Sequence, residues 1–277
     1  MTGARDIALR RAVLAVYVLD ELDLSIDDDG VVLTGPAPRR VPWAVLAAAV
    51  TGFDPETAVG RARVGAWLHG RRAVADHSVA ALCRRVRPVG LPVGHPLHPG
   101  PDWVYERVLG GALDVGLGFL GLHGDPDEVV VVPPGALAAE GIDPAPWWPA
   151  AHAYLDQMGV IAAARLSTGA PGLLRPIGDC DVVTLLASRS LRLALCAADG
   201  TGMCAAAVPM RRRGWLDLAR IDPAFAVAAA AATDSVERGF SRPLLLTADE
   251  VTLARGDGRP DRLVFLDPAR NRPTPRH

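Results

Sequence analysis

Residues 191–209 read LRLALCAADGTGMCAAAVP. Leucine alternates with other residues at 191, 193 and 195, and a second apolar run follows from Met203 to Pro209. Between them, Asp199-Gly200-Thr201-Gly202 supplies residue types that accept the positive φ of a tight turn. The stretch is expected to be a β-hairpin, with strands at 191–197 and 203–209 and the turn at 198–203. A second hairpin is announced in the same way, because Asp28-Asp29-Gly30 separates Leu24–Ile26 from Val31–Thr34. Further strands are expected at 128–132, 182–187, 243–247, 250–255 and 262–266. Hairpins outnumber any β-α-β alternation, so the fold class read from the sequence is α+β.

Helices are expected near 5–20, 42–50, 55–70, 76–87, 102–120, 144–166 and 223–233. Val79, Leu82, Cys83 and Val86 repeat at helical spacing. Four times an apolar residue precedes Asp-Pro, at Phe53-Asp54-Pro55, Ile142-Asp143-Pro144, Ile221-Asp222-Pro223 and Leu266-Asp267-Pro268. Each reads as a helix start, with Asp capping and Pro opening the first turn. Five prolines and three glycines fall between Pro88 and Pro101 and interrupt the pattern. The organisation is therefore read as a mainly helical domain with a hairpin over 1–87, an exposed Pro/Gly-rich linker over 88–101, a hairpin-rich α+β domain over 102–270 and a loose tail over 271–277.

Composition excludes several chemistries. All 29 basic residues are arginine, and without lysine there is no standard P-loop, no Schiff-base site and no protein-kinase site. One Asn, one Gln, 28 Gly and 24 Pro point to a GC-rich bacterial genome as the source of this bias. The net charge of −2 is uneven, since residues 101–180 hold 3 Arg against 10 acids while residues 181–277 hold 14 against 11. Such a chain is not a general polyanion binder. Cys83, Cys180, Cys196 and Cys204 form no C-x-x-C pair, which suits a reducing cytoplasm. Arg10-Arg11 precedes an apolar run that meets Asp20-Glu21 after eight residues, so an amphipathic first helix is expected there rather than an export signal. No apolar run has the roughly 18 residues of a membrane span, and no membrane partner is expected.

The familiar catalytic motifs are missing or out of context. Gly116-Leu117-Gly118-Phe119-Leu120-Gly121 fits the dinucleotide fingerprint, but it ends a predicted helix instead of opening one, so close helix packing is the better reading. In that helix Asp102 would be the N-cap and Glu106 a partner of the helix dipole. His95 and His98, with Asp102 or His123, have the residue types of a metal site, yet their prolines spread them along an extended linker and solvated histidines are expected. His152 and Asp156 read as an exposed polar stripe, and there is no G-x-S-x-G or H-E-x-x-H. Cys180 sits between Asp179 and Asp181, which blunt a thiolate and make a structural cysteine the expectation. No cofactor and no metal site is predicted.

One cluster stands out. Arg211-Arg212-Arg213-Gly214-Trp215 places three mutually repelling guanidiniums beside an aromatic face, and the nearest acids in sequence are Asp199 and Asp217. Arginine forks match carboxylate or phosphate, so Arg211, Arg212, Arg213 and Trp215 are the candidate ligand-binding residues. The leading functional reading is a cytoplasmic, non-enzymatic binding protein recognising a small anionic ligand or an acidic protein surface. An alternative is an enzyme on a phosphorylated or carboxylated metabolite, with Asp179 or Asp181 holding Mg²⁺ or moving a proton. A second alternative is DNA binding through Arg61, Arg63, Arg71, Arg72, Arg84, Arg85 and Arg87, which requires these side chains to share one convex face.

Overall fold

The computed structural model describes residues 3–35, 38–95, 98–122, 125–166, 172–197, 201–216, 237–248, 251–253, 255–256 and 263–264. Within these residues the fold is α+β, with antiparallel strand pairing. The chain forms two compact units that interleave along the sequence. The first comprises residues 1–106, 114–155 and 178–180, and the second comprises 107–113, 156–177 and 181–277. The sequence division at 88–101 is not where the units divide.

The first unit opens with α1 (Gly3–Leu19), which buries Leu9, Ala12, Val13 and Val16. Strands β1 (Leu24–Ile26), β2 (Gly30–Leu33) and β3 (Arg39–Pro42) follow as an antiparallel meander, with Leu24 opposite Leu33 and Val31 opposite Val41. The Asp27 carboxylate accepts the Asp29 and Gly30 N–H groups and shapes the first turn. Helices α2 (Trp43–Ala49), α3 (Ala58–Ala75) and α4 (Val79–Arg85) complete this layer, close to the expected positions. The apolar faces of α2 and α3 join α1 and the meander in one core around Val31, Leu33, Leu46, Val64 and Leu68, while Leu82 of α4 packs in a second core with Val74 and Phe119.

The Asp-Pro pairs do a slightly different job from the one predicted. Asp54 accepts from the Glu56 N–H and Asp143 from the Ala145 N–H, each at 3.0 Å, but the cap of α3 is Thr57. The same bond recurs from Asp127 N–H to Asp125 in a turn that leads to a strand. Asp-Pro here encodes an Asx turn, and a helix follows only where the next residues favour one. The pairs at Asp222 and Asp267, the helix expected at 223–233 and the tail 271–277 lie outside the described residues.

Two expectations fail between 86 and 120. The first half of the supposed exposed linker is strand β4 (Val86–Pro92), with Val89 and Leu91 buried. The supposed helix 102–120 is two strands, β5 (Val104–Val108) and β6 (Leu113–Leu120), after a single 3-10 turn at Pro101–Trp103. Leu109, Gly110 and Gly111 all take positive φ between β5 and β6, which ends any helical path. Strand order is β4-β6-β5, and β7 (Val129–Val130) adds to β6 opposite Phe119 and Leu120. The apparent dinucleotide fingerprint is therefore strand: a Cβ on Gly116 would stand 2.5 Å from the Trp103 ring, and one on Gly118 would stand 2.5 Å from Val89. Helix α5 (Pro134–Ala138) and the start of α6 (Trp148–Leu166) close this core over Phe119 and Leu137.

The second unit takes the rest of α6 from Asp156, then β8 (Leu173–Leu174), α7 (Val182–Leu185), α8 (Arg189–Ala197), β9 (Met203–Met210), β10 (Arg213–Trp215), β11 (Leu244–Thr247) and β12 (Val251–Leu253). The sheet order is β12-β11-β9-β10-β8. A separate short ladder pairs Arg255–Gly256 with Leu263–Val264. The stretch 191–197, expected as the first hairpin strand, is helix α8. Leu191 and Leu195 are buried at 1% and 3% exposure while Leu193 is 42% exposed, the signature of spacing by four and not by two. β9 pairs instead with β11 on one side, Cys204 opposite Leu246, and with β10 on the other. Residues 182–187 are likewise helical over 182–185, because the Asp181 carboxylate caps the Thr184 N–H at 2.7 Å. No helix among the described residues is long and apolar enough to cross a membrane.

Candidate functional site

The three arginines that stand together in sequence do not act together. Arg211 donates from Nε and Nη2 to one Asp181 oxygen, at 2.7 and 2.6 Å, with both side chains largely buried. Its carbonyl accepts the Val182 and Val183 N–H groups, so Arg211 organises the start of α7 from both its main chain and its side chain. Arg212 is exposed and makes no ion pair among the described residues. Arg213 lies over the Trp215 ring at 5.2 Å, as two side chains on one strand face can. The acid that neutralises Arg211 comes from 30 positions upstream, which proximity in sequence conceals.

Asp179 and Asp181 do not share a strand face. Asp179 belongs to the first unit, where its Oδ2 accepts from Arg87 Nε at 2.5 Å and from the Tyr154 hydroxyl at 3.1 Å, and Arg87 also packs over the Tyr154 ring. Each carboxylate is thus engaged by its own guanidinium, and Cys180 between them is fully buried. Burial, with a contribution from the Asp179 charge, raises the Tyr154 phenol above its ordinary value. The folded phenol holds its proton more tightly than the unfolded one, so this contribution is complete below about pH 10 and is lost as pH rises through the raised folded value. Thermal melts of Tyr154→Phe are expected to show a shallower alkaline decline than wild type, and identical slopes would contradict this assignment.

His95 and His98 are not solvated linker side chains. His95 is buried, and His98 Nδ1 accepts the Gly100 N–H at 3.1 Å, which leaves Nε2 as the protonated nitrogen facing Asp114 at 3.1 Å. The Trp103 ring meets His98 edge-on, so the pair is a packed element of the first unit. His152 packs against Trp148. His123 lies outside the described residues, and among the described ones no group of three or more His, Cys, Asp or Glu is placed to hold a metal ion.

The arginines of residues 55–90 point at different neighbours. Arg63 lies over Phe53, Arg71 is buried against Glu140 at 2.6 Å, and Arg72 pairs with Asp76 and reaches the Thr34 carbonyl. Arg61 reaches the Glu56 carbonyl, Arg85 those of Leu120 and Gly121, and Arg87 the Asp179 carboxylate. Burial lowers the Arg63 pKa from its ordinary value. Six of the seven thus engage neighbours of their own unit, while Arg61 and Arg84 keep exposed side chains.

A cavity of about 470 Å³ lies wholly within the second unit. Ala162 and Leu166 of α6, Leu174 of β8, Val182 and Leu185 of α7 and Leu191 of α8 give it apolar walls, and the exposed Arg165 and Arg175 add two guanidiniums to its lining. Its α7 wall is held at both ends, by Asp181 with Arg211 at the start and by Arg192, which donates to the Leu186 and Ala187 carbonyls at 2.7 Å, at the end. Trp215 pairs with Leu173, another lining residue, so the Arg213–Trp215 stack stands one strand from the cavity. No motif announced this site, because its walls are ordinary apolar residues from four separate elements. Comparison with known proteins adds no relative: no family model, no curated protein and no solved structure matches the chain.

Proposed function

We propose that the chain is a non-enzymatic binding protein whose second unit takes a small amphipathic anion, with the apolar body in the cavity and the acid group at Arg165 and Arg175. The carrying observation is the composition of the lining. Among the described residues it contains Ala, Leu, Ile, Val, Pro and two Arg, and none of these is a Ser, Thr, Cys, His, Asp, Glu or Tyr that could act as nucleophile, acid or base. Its volume is in the range of small-molecule sites, which are mostly apolar with a few polar groups that fix orientation. Arg175 makes no ion pair among the described residues. Arg213 and Trp215, with Arg212 beside them, form the outer part of the proposed site, while Arg211 supports its wall. Four free cysteines, two of them buried, fit the reducing cytoplasm in which we place the protein.

Isothermal titration with decanoate, decanol and acetate separates the two contributions. Decanoate is expected to bind, decanol to bind more weakly and acetate not to bind. Exposed guanidiniums are screened by water, so replacing both Arg165 and Arg175 with Gln should weaken decanoate by about tenfold while leaving decanol unchanged. Equal affinity for decanoate and decanol would remove the anion site, and failure of both to bind would remove the reading altogether.

A further inference from the structure

Helix α1 is apolar on two sides. Its inner face packs into the core, while Ile7, Leu14, Tyr17 and Val18 on the outer face are 52%, 50%, 46% and 67% exposed. With Arg11 the outer residues fall at 7, 11, 14 and 18, alternating steps of four and three, which is the seam of a paired helix. Elsewhere among the described residues the large exposed apolar side chains stand singly in their elements, as on any surface. The two arginines in the stripe are tied to their own chain: Arg10 lies over Trp43 and bonds the Asp28 carbonyl, and Arg11 pairs with Glu56. They leave Ile7, Leu14 and Val18 exposed.

We propose that this face of α1 pairs with α1 of a second copy of the same chain, in antiparallel orientation. Charge decides the orientation. A parallel pair would stack Arg10 and Arg11 of one copy beside those of the other. An antiparallel pair sets Ile7 against the other copy's Val18 and Arg11 against its Leu14. It also brings Glu21 beside the other copy's first turn, where Arg5 stands next to Asp6 and the helix dipole is positive, while Asp20 stays with His69 of its own chain. The same acidic end makes α1 a poor match for an anionic membrane surface. One helix face is smaller than a standard interface of about 1,600 Å², so the pair is weak and depends on concentration.

Sedimentation equilibrium of the full chain tests this. The weight-average mass should climb from 29.1 kDa toward twice that value across the micromolar range. Leu14→Glu with Val18→Glu should hold the chain monomeric at least tenfold higher in concentration, with the melting temperature unchanged because both positions are exposed. Arg5→Glu and Glu21→Arg should each weaken the pair and together restore it, which a parallel pair or a different face would not do. A monomer at every concentration overturns the proposal. So does a dimer indifferent to Leu14→Glu with Val18→Glu, or co-flotation with phosphatidylglycerol vesicles that this double replacement abolishes in a monomeric wild type.

Discussion

Replacing Arg211 with Met is expected to cost about 3–5 kcal/mol of stability, because it leaves the largely buried Asp181 carboxylate without its guanidinium. Asp181 still caps Thr184, so the loss falls on an organised helix start and not on a free side chain. Arg212→Met, one position along on an exposed side chain, should change stability by no more than about 0.5 kcal/mol. Urea unfolding of both variants gives the comparison. Adding Asp181→Asn to Arg211→Met should recover part of the loss, since the uncompensated charge is then gone. If the two arginine variants unfold alike, the Arg211–Asp181 pair does not hold α7, and the account of the cavity wall fails with it.

Gly116→Ala is expected to destabilise by about 3 kcal/mol, the upper part of the range for overpacking. The added Cβ would stand 2.5 Å from the Trp103 ring and 2.6 Å from the Trp103 carbonyl oxygen. The ring itself cannot swing away freely, because Trp103 is buried and its Nε1 donates to the Leu117 carbonyl at 2.8 Å. Gly135→Ala is the matched control. It sits in α5 with Trp67 Nε1 at an ordinary 3.5 Å, and should be neutral or stabilise by up to about 1 kcal/mol. A Gly116→Ala protein that melts with wild type would show that β6 is not packed against Trp103 as described.

Apolar helical segments and turn residues were the legible part of this fold. α1, α3, α4 and α6 and the β1–β2 hairpin all lie close to where periodicity and turn residues put them. The errors share a cause: short apolar runs satisfy more than one period. Val104, Val108, Ala112, Val115 and Phe119 fit a helical face, but the Gly110-Gly111 pair within them was the stronger clue to a hairpin. Leu191, Leu193 and Leu195 fit a strand, and only tertiary burial distinguishes the two leucines that matter. Prolines at 88 and 92 suggested a linker, yet β4 is the edge strand of its sheet and accommodates them while Val89 and Leu91 go inside. The candidate site was illegible for a different reason. Arg211 finds its acid, and the cavity finds its walls, through contacts between residues far apart in sequence.

The interleaving of the two units has a consequence for how the protein comes into being. The first unit needs residues 178–180, so it stays incomplete after residue 106 has been translated, while the ribosome adds the hairpin tip, most of α6 and β8. At the usual synthesis rate of about 5–20 residues per second, that wait lasts roughly four to fifteen seconds. For that period apolar strands such as β4 and β6 lack part of their final setting, and a nascent-chain chaperone has its best opportunity to act. Evolution meets the same constraint, because neither unit is an uninterrupted stretch of gene that a single duplication or fusion can lift out intact.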